Sequence, residues 1–368
     1  MTRETAMLAG AALGLVAAAA VLSAALCALV IRWAPRLGFL DRPGGHKGHE
    51  TPTPLGGGLA IWATTIAMPV LGMLVVRLGR GWLPEAIARH ADGVRASGGR
   101  LLLIAGLATV IMVMGLLDDR KGLPWPLRLA VQVGLAVILA VSDVHVTLFG
   151  PFAHPLVGGA VTVLWVVGLT NAFNFLDNMD GLAAGVGLIA SVLFVGAQAA
   201  VGGLFVPAVL LGLVGALAGF LVYNRYPARL FMGDAGSNFL GFFLGAMTVA
   251  GTYYRYEPGE SPWSVLAPLL VMAVPLYDST TVIVIRLREG RSPFVGDRRH
   301  FSHRLVSRGL TSPQAVRTIH LVTLAGGLGA LLLHRLGAAG AAVVVTQTLC
   351  LLGVVAILEL SGNGKSGA

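Results

Sequence analysis

Two adjacent carboxylates, Asp118 and Asp119, close an apolar stretch in Gly-Leu-Leu-Asp118-Asp119-Arg120-Lys121. Such a pair can serve a divalent cation and a proton acceptor together, because a metal relieves the repulsion between them. Taken alone, it also reads as an ordinary solvated helix end. Asn171, Asn174, Asp177 and Asp180 recur every three residues among apolar neighbours. That row would line one face of a helical end with oxygen ligands. Interhelical hydrogen bonding is the other use of such a row, although two carboxylates are costly for it. In Phe231-Met232-Gly233-Asp234-Ala235-Gly236-Ser237-Asn238, glycines flank an aspartate where a helix opens. Backbone N–H groups there can approach a phosphate, and Asp234 a metal bridging it. An Asp N-cap is the simpler role, but it leaves the glycines unexplained.

From Asp278 to Arg304 the chain carries Arg286, Arg288, Arg291, Asp297, Arg298, Arg299, His300, Ser302, His303 and Arg304. Guanidinium groups match phosphate oxygens in pairs, so this density suits a pyrophosphate, while simple topology-setting charge also accounts for individual arginines. His300 and His303 have no Cys or Glu at ligand spacing nearby, which favours phosphate or sugar contact over zinc. A fifth segment, Asp41 to Gly58, contains His46, Lys47 and His49 among prolines and glycines and reads as an ordered, reentrant-like loop, or as a plain connection.

These residues must be held by apolar elements. Of 368 residues 56% are hydrophobic and only 12% charged, with a mean hydropathy of +0.81, against about 25% charged in soluble domains. An ordinary soluble enzyme is excluded, and an all-α polytopic integral membrane protein is expected. Apolar stretches fall at 6–31, 56–76, 101–117, 126–142, 156–172, 182–201, 204–222, 238–254, 264–285, 316–334 and 339–359. That gives about eleven transmembrane helices, or ten. The first, about 26 residues, exceeds a signal-peptide core and is expected to be retained. The reading is one transmembrane catalytic domain over residues 1–360 and a disordered tail at 361–368. Cys27 and Cys350 are too few and too far apart for a disulfide framework.

With the N-terminus outside, 18 of the 26 Lys and Arg fall on the inside, as the positive-inside rule requires. Loop 77–100, with Arg77, Arg80, Arg89, Arg95 and Arg100, runs against it. The same orientation puts Asp118, Asp119, Asp177, Asp180, Asp234, Asp278 and Asp297 on the inside, whereas the glutamates do not gather there. The net charge of +9 fits anionic lipid or an anionic substrate. Nucleic acid is not expected as a partner, because the basic residues are split among short loops.

In this order the five segments resemble the polyprenyl-phosphate N-acetylhexosamine-1-phosphate transferases, which include undecaprenyl-phosphate GlcNAc-1-phosphate transferases and are related to the phospho-N-acetylmuramoyl-pentapeptide transferase. The match runs from about residue 35 to 310, and the Asn-x-x-Asn-x-x-Asp-x-x-Asp-Gly-Leu and Phe-Met-Gly-Asp-x-Gly-Ser blocks are its most specific parts. The resemblance implies attack of a membrane polyprenyl (undecaprenyl) phosphate on the β-phosphorus of a UDP-N-acetylhexosamine, with release of UMP. It implies Mg2+, with Mn2+ as a substitute, and an inner (plasma) membrane enzyme whose catalytic loops are cytoplasmic. It leaves a homodimer open.

Carried over by position, Asp118 is the candidate base or nucleophile-activating carboxylate, and Asp119, Asp177 and Asp180 join it as catalytic candidates. Asp234, with Asp118 and Asp119, would hold the metal. Lys47, Asn174, Asp180 and Phe231 would bind the nucleotide, Phe231 by stacking on uracil. Arg291, Arg299, His300, His303 and Arg304 would engage the sugar phosphate. Two residues depart from the family pattern: Ser302 stands where a third His is usual, and Asn178 where Gly is usual. The pattern at 291–300 points to UDP-GlcNAc as donor ahead of the muramoyl-pentapeptide substrate. A transporter of an anionic solute is the reading from another class, but it would call for polar mid-span residues and repeated halves.

Overall fold

The structure, a computed structural model, describes residues 3–41, 52–79, 85–142, 144–147, 154–254, 261–292 and 299–360. Lys47, Asp297, Arg298 and the tail 361–368 lie outside the described residues. The helices are α1 Arg3–Trp33, α2 Gly57–Leu78, α3 Glu85–Ala88, α4 Ala91–Lys121, α5 Trp125–Val141, α6 Pro155–Leu176 and α7 Leu182–Ala200. They continue as α8 Phe205–Asn224, α9 Gly233–Ala250, α10 Ala267–Val271, α11 Ala273–Arg288, α12 Phe301–Ser307, α13 Ser312–Leu328 and α14 Ala338–Leu360. The chain is an all-α, multi-pass membrane protein.

Each of the eleven expected stretches falls on a helix or on a bent pair. Among the described residues, eight helices are long and apolar enough to cross a membrane, or nine if α11 and the short helices before it, bent by 60°, count as one span. Two stretches fall short. Helix α5 has 17 residues, and α9 opens with the polar run Gly-Asp-Ala-Gly-Ser-Asn. Helix α4 is longer than its apolar stretch. Its 31 residues make about 46 Å of helix, more than a hydrocarbon core of about 30 Å. Arg95 and Arg100 of the contrary loop therefore sit on its protruding first turns, Arg95 lying 3.8 Å from Asp92.

Helix α9 is the hub. It packs against α4, α6 and α2, and from Ala235 to Thr248 its residues are buried. Small residues permit this. A Cβ built on Gly236 would stand 2.7 Å from the Gly58 Cα of α2, and one on Gly115 of α4 would stand 2.3 Å from the Asp234 carbonyl oxygen. Close approach of this kind drives helix association where lipid removes the hydrophobic incentive. Helices α1 and α8 use the same device at Gly215 and Gly219, and Ser23 donates to the Ala216 carbonyl at 2.7 Å. Outward faces carry exposed Leu13, Val21, Leu164 and Ile357, as a lipid-facing surface must.

The described ends of the Asp41–Gly58 segment form a two-residue antiparallel pair, β1 Leu40–Asp41 and β2 Thr53–Pro54. The strand runs on into the Phe231 segment: Phe231 N–H donates to the Pro54 carbonyl, and Gly57 and Gly58 donate to the carbonyls of Phe231 and Met232, all at 2.9 Å. The approach to α2 is thus fastened to the start of α9.

Candidate active site

Four elements bring the carboxylates to the N-terminal end of α9. Asp118 and Asp119 end α4, where Gly122 at φ 65° turns the chain toward α5. Asn171 and Asn174 lie on the last turns of α6. That helix stops at Leu176, so Asp177 is its C-cap and Asp180 belongs to the turn before α7. The three-residue row therefore continues past the helix instead of marking a single helical face. Asp234 sits in the first turn of α9.

Asp119 caps that helix from across the bundle. Its two oxygens accept the backbone N–H groups of Asp234 at 2.8 Å and Ala235 at 3.1 Å. The expectation that these N–H groups meet a phosphate needs correction, because a carboxylate already satisfies them, and carboxylates are favoured at helix N-termini. Gly233 has φ 72°, and a Cβ there would meet the Asp119 Oδ2 at 2.7 Å. The glycines thus serve close packing around Asp119 and Gly58.

Asp118 is buried and paired. Arg128 of α5 donates to its Oδ2 at 2.5 Å, and Leu123 N–H to its Oδ1 at 2.6 Å. The same guanidinium lies 3.8 Å from the Asp234 Oδ2. Asn174 donates to the Asp234 Oδ1 at 2.7 Å. Behind it, a buried relay runs from Asn171 to Gln132 (2.7 Å), Gln132 to Asn238 (3.2 Å) and Asn238 to the Asp234 carbonyl (2.8 Å).

Asp180 accepts the Ala228 N–H at 2.9 Å. Buried Asn224 accepts the Gly181 N–H and donates to the Leu230 carbonyl, joining this turn to the Phe231 segment. Phe231 itself is half-buried. Burial, together with the charges of Asp234, Asp119 and Asp180, pushes the Asp177 carboxyl up to about 8.

Among the described residues, no three His, Cys, Asp or Glu side chains form a ready-made metal cage. Mg2+ does not require one, since it is commonly held by one or two carboxylates, waters and substrate phosphates. Asp234 and Asp177, whose charges oppose each other, fit that mode. Asp119 and Asp118 are already engaged with N–H groups and Arg128.

The basic block forms the other side. Helix α12 begins at Phe301, with His300 as its N-cap. Fully buried Asp278 of α11 holds both: its Oδ2 lies 3.0 Å from the His300 Nδ1, and its Oδ1 accepts the Phe301 N–H at 2.5 Å. The His300 ring lies 5.7 Å from that of Phe175, and buried Arg286 lies over the same Phe175 ring at 5.3 Å. Arg304 donates to the Arg299 carbonyl and to Thr281 Oγ1, and its Nε lies 3.0 Å from Glu359 of α14. Arg299 pairs with Glu289, whose Oε2 lies 3.7 Å from the Arg291 Nε. Two glutamates thus do join the basic block. Half-buried His303 lies one turn into α12.

The Asp turn and the basic helix touch: Ser302 Oγ donates to Asn178 Oδ1 at 2.5 Å. Sequence reasoning named Asp278 as one of the clustered aspartates but gave it no partner, and it assigned no role to Arg128, Gln132, Glu289 or Glu359. The available signal was a charge or amide at the end of, or within, an otherwise apolar stretch.

Residues 101–252 match the family model described as glycosyl transferase family 4. A Bacillus subtilis protein named a probable undecaprenyl-phosphate N-acetylglucosaminyl 1-phosphate transferase is 30% identical over 320 residues, 83% of this chain and 80% of that one. The decaprenyl-phosphate N-acetylglucosaminephosphotransferase of Mycolicibacterium smegmatis is 32% identical over 360 residues, 90% of this chain and 84% of that one. The Escherichia coli O157:H7 undecaprenyl-phosphate alpha-N-acetylglucosaminyl 1-phosphate transferase is 28% identical over 310 residues, covering 80% and 76%. With the carboxylate and histidine blocks in the same chain, these likenesses make it a member of glycosyl transferase family 4, the polyprenyl-phosphate N-acetylhexosamine-1-phosphate transferases.

Proposed function

We propose that this enzyme transfers N-acetylglucosamine-1-phosphate from UDP-N-acetylglucosamine to a polyprenyl phosphate, releasing UMP and starting a lipid-linked envelope glycan. The observation that carries the reading is the meeting of Asp118, Asp119, Asp177 and Asp234 at the start of α9, tied through Asn178 and Ser302 to the His300–Arg304 helix. Carboxylates on one side and cations on the other suit a metal-bound pyrophosphate. The names of the relatives support the GlcNAc donor over a muramoyl-pentapeptide donor.

Asp234, with Asp177, would hold Mg2+, which when bound neutralises charge on the pyrophosphate as UMP leaves. Asp119 would keep α9 and Asp234 in place. Asp118, steadied by Arg128, would orient the acceptor phosphate or take its residual proton; such a phosphate is already largely ionised near neutral pH. Phe231 offers a face for uracil, and His300, His303 and Arg304 would meet the sugar phosphate. The Lys/Arg bias supports placing this face in the cytoplasm, with the chain in the plasma membrane.

The test is transfer of radiolabel from UDP-N-acetylglucosamine into organic-extractable lipid by the purified protein with undecaprenyl phosphate and Mg2+. Transfer reversed by added UMP supports the reaction. Absence of transfer across a panel of UDP-sugars and lipid acceptors rejects it and returns the transporter reading.

A further inference from the structure

The two residues that depart from the family pattern are bonded to each other. Ser302, buried to 1% exposure, donates to Asn178 Oδ1 at 2.5 Å across 124 residues of chain. The Asn178 amide nitrogen donates to the Phe175 carbonyl at 2.7 Å, one of the carbonyls a helix end leaves without a partner. With one end of its amide on the close of α6 and the other on α12, Asn178 is fixed in one orientation. It sits in the turn between Asp177 and Asp180, and Ser302 sits between His300 and His303. Asp278 holds the start of α12 from α11, and this bond holds it from the aspartate turn.

We propose that the Asn178–Ser302 hydrogen bond is a positioning latch that sets the gap between the carboxylate turn and the basic helix, and so the fit of the sugar-nucleotide donor. The inference rests on reading that gap as the donor site. Neither side chain needs to touch the reacting atoms. Removing either one frees α12 to shift against the turn, and removing Asn178 also leaves the buried Ser302 hydroxyl without its acceptor. Once one partner is gone, removing the second has little left to uncouple, so the pair must be non-additive.

The experiment is a double-mutant cycle on the full chain in detergent, with Ser302→Ala, Asn178→Ala and both together. It reads kcat, KM for UDP-N-acetylglucosamine and KM for undecaprenyl phosphate. Each single change is expected to raise the donor KM about tenfold, with the acceptor KM unchanged and the double variant no worse than the poorer single. Ser302→Cys, nearly isosteric with a weak donor, is expected to move the donor KM the same way by less and guards against an Ala variant that does not fold. Additive losses, or a lower kcat with both KM values unchanged, overturn the latch. Calorimetric binding of UDP-N-acetylglucosamine without acceptor is run on the same proteins. Wild-type binding without transfer rejects the reaction while still testing the latch, and equal affinity of wild type and both single variants rejects the latch.

Discussion

Asp119 accepts the N–H groups of both Asp234 and Ala235 from a position 115 and 116 residues earlier in the chain. One carboxylate thus fixes where another stands. The two aspartates should therefore fail differently. Asp119→Ala is expected to abolish transfer and also to lower the melting temperature in detergent, since loss of a helix cap costs about 1 kcal/mol. Asp234→Asn is expected to cut UMP release by orders of magnitude with no loss of thermal stability, because it removes one of several like charges. An Asp119→Ala protein melting with wild type would show that the cap does not hold α9.

Arg128 is the counter-charge of buried Asp118, and it also lies 3.8 Å from Asp234. Its removal strands a carboxylate away from water, the situation that makes breaking a buried pair costly. Arg128→Met is expected to destabilise the protein by about 1–3 kcal/mol, reduced from the fully buried case because the Arg128 side chain is 28% exposed. Asp118→Asn added to Arg128→Met should recover most of that loss in thermal melts while leaving transfer abolished. A double variant less stable than Arg128→Met would contradict the pairing.

Chelation offers a third check. Transfer is expected to stop with EDTA and to return with Mg2+. The Mg2+ concentration for half-maximal UMP release should rise more than about tenfold in Asp177→Asn, because Mg2+ sites lean on one or two carboxylates. An unchanged Mg2+ requirement in that variant would remove Asp177 from the metal site.

The helices and the carboxylate-bearing segments that meet at α9 were legible because each has a local signature: an apolar run of fixed length, or carboxylates at motif spacing. Their partners were not. The cap that Asp119 places on α9, the Arg128 bridge and the Ser302–Asn178 bond all join segments far apart in the chain, and spacing along a sequence cannot show contact across a bundle. Helix α4 was read short for a different reason. Its opening turns, with Asp92, Arg95 and Arg100, are polar because they protrude beyond the apolar layer, and hydropathy sees only that layer. The polar opening of α9 likewise lies outside its expected stretch of 238–254, because its polar groups are satisfied by Asp119, Asn174 and Gln132 instead of by water.

Asp278 was legible as a charge but not as a support. Its carboxylate can only accept, so the 3.0 Å contact with His300 puts the proton on Nδ1 and leaves Nε2 as the acceptor or as a second donor. An imidazole held in this way by a carboxylate has its ring and tautomer fixed. Asp278 also satisfies the Phe301 N–H at the start of α12, so its two oxygens act on different things. Asp278→Asn retains an oxygen for Phe301 but presents an amide to Nδ1. It is expected to lower turnover by about 10–100-fold with a near-normal melting temperature. Asp278→Ala loses both contacts and should melt earlier as well, since a buried unpaired N–H costs about 1–3 kcal/mol. In a His300→Ala background, Asp278→Asn should have no further effect on turnover. A full additional loss there would mean that Asp278 serves the reaction by a route other than His300.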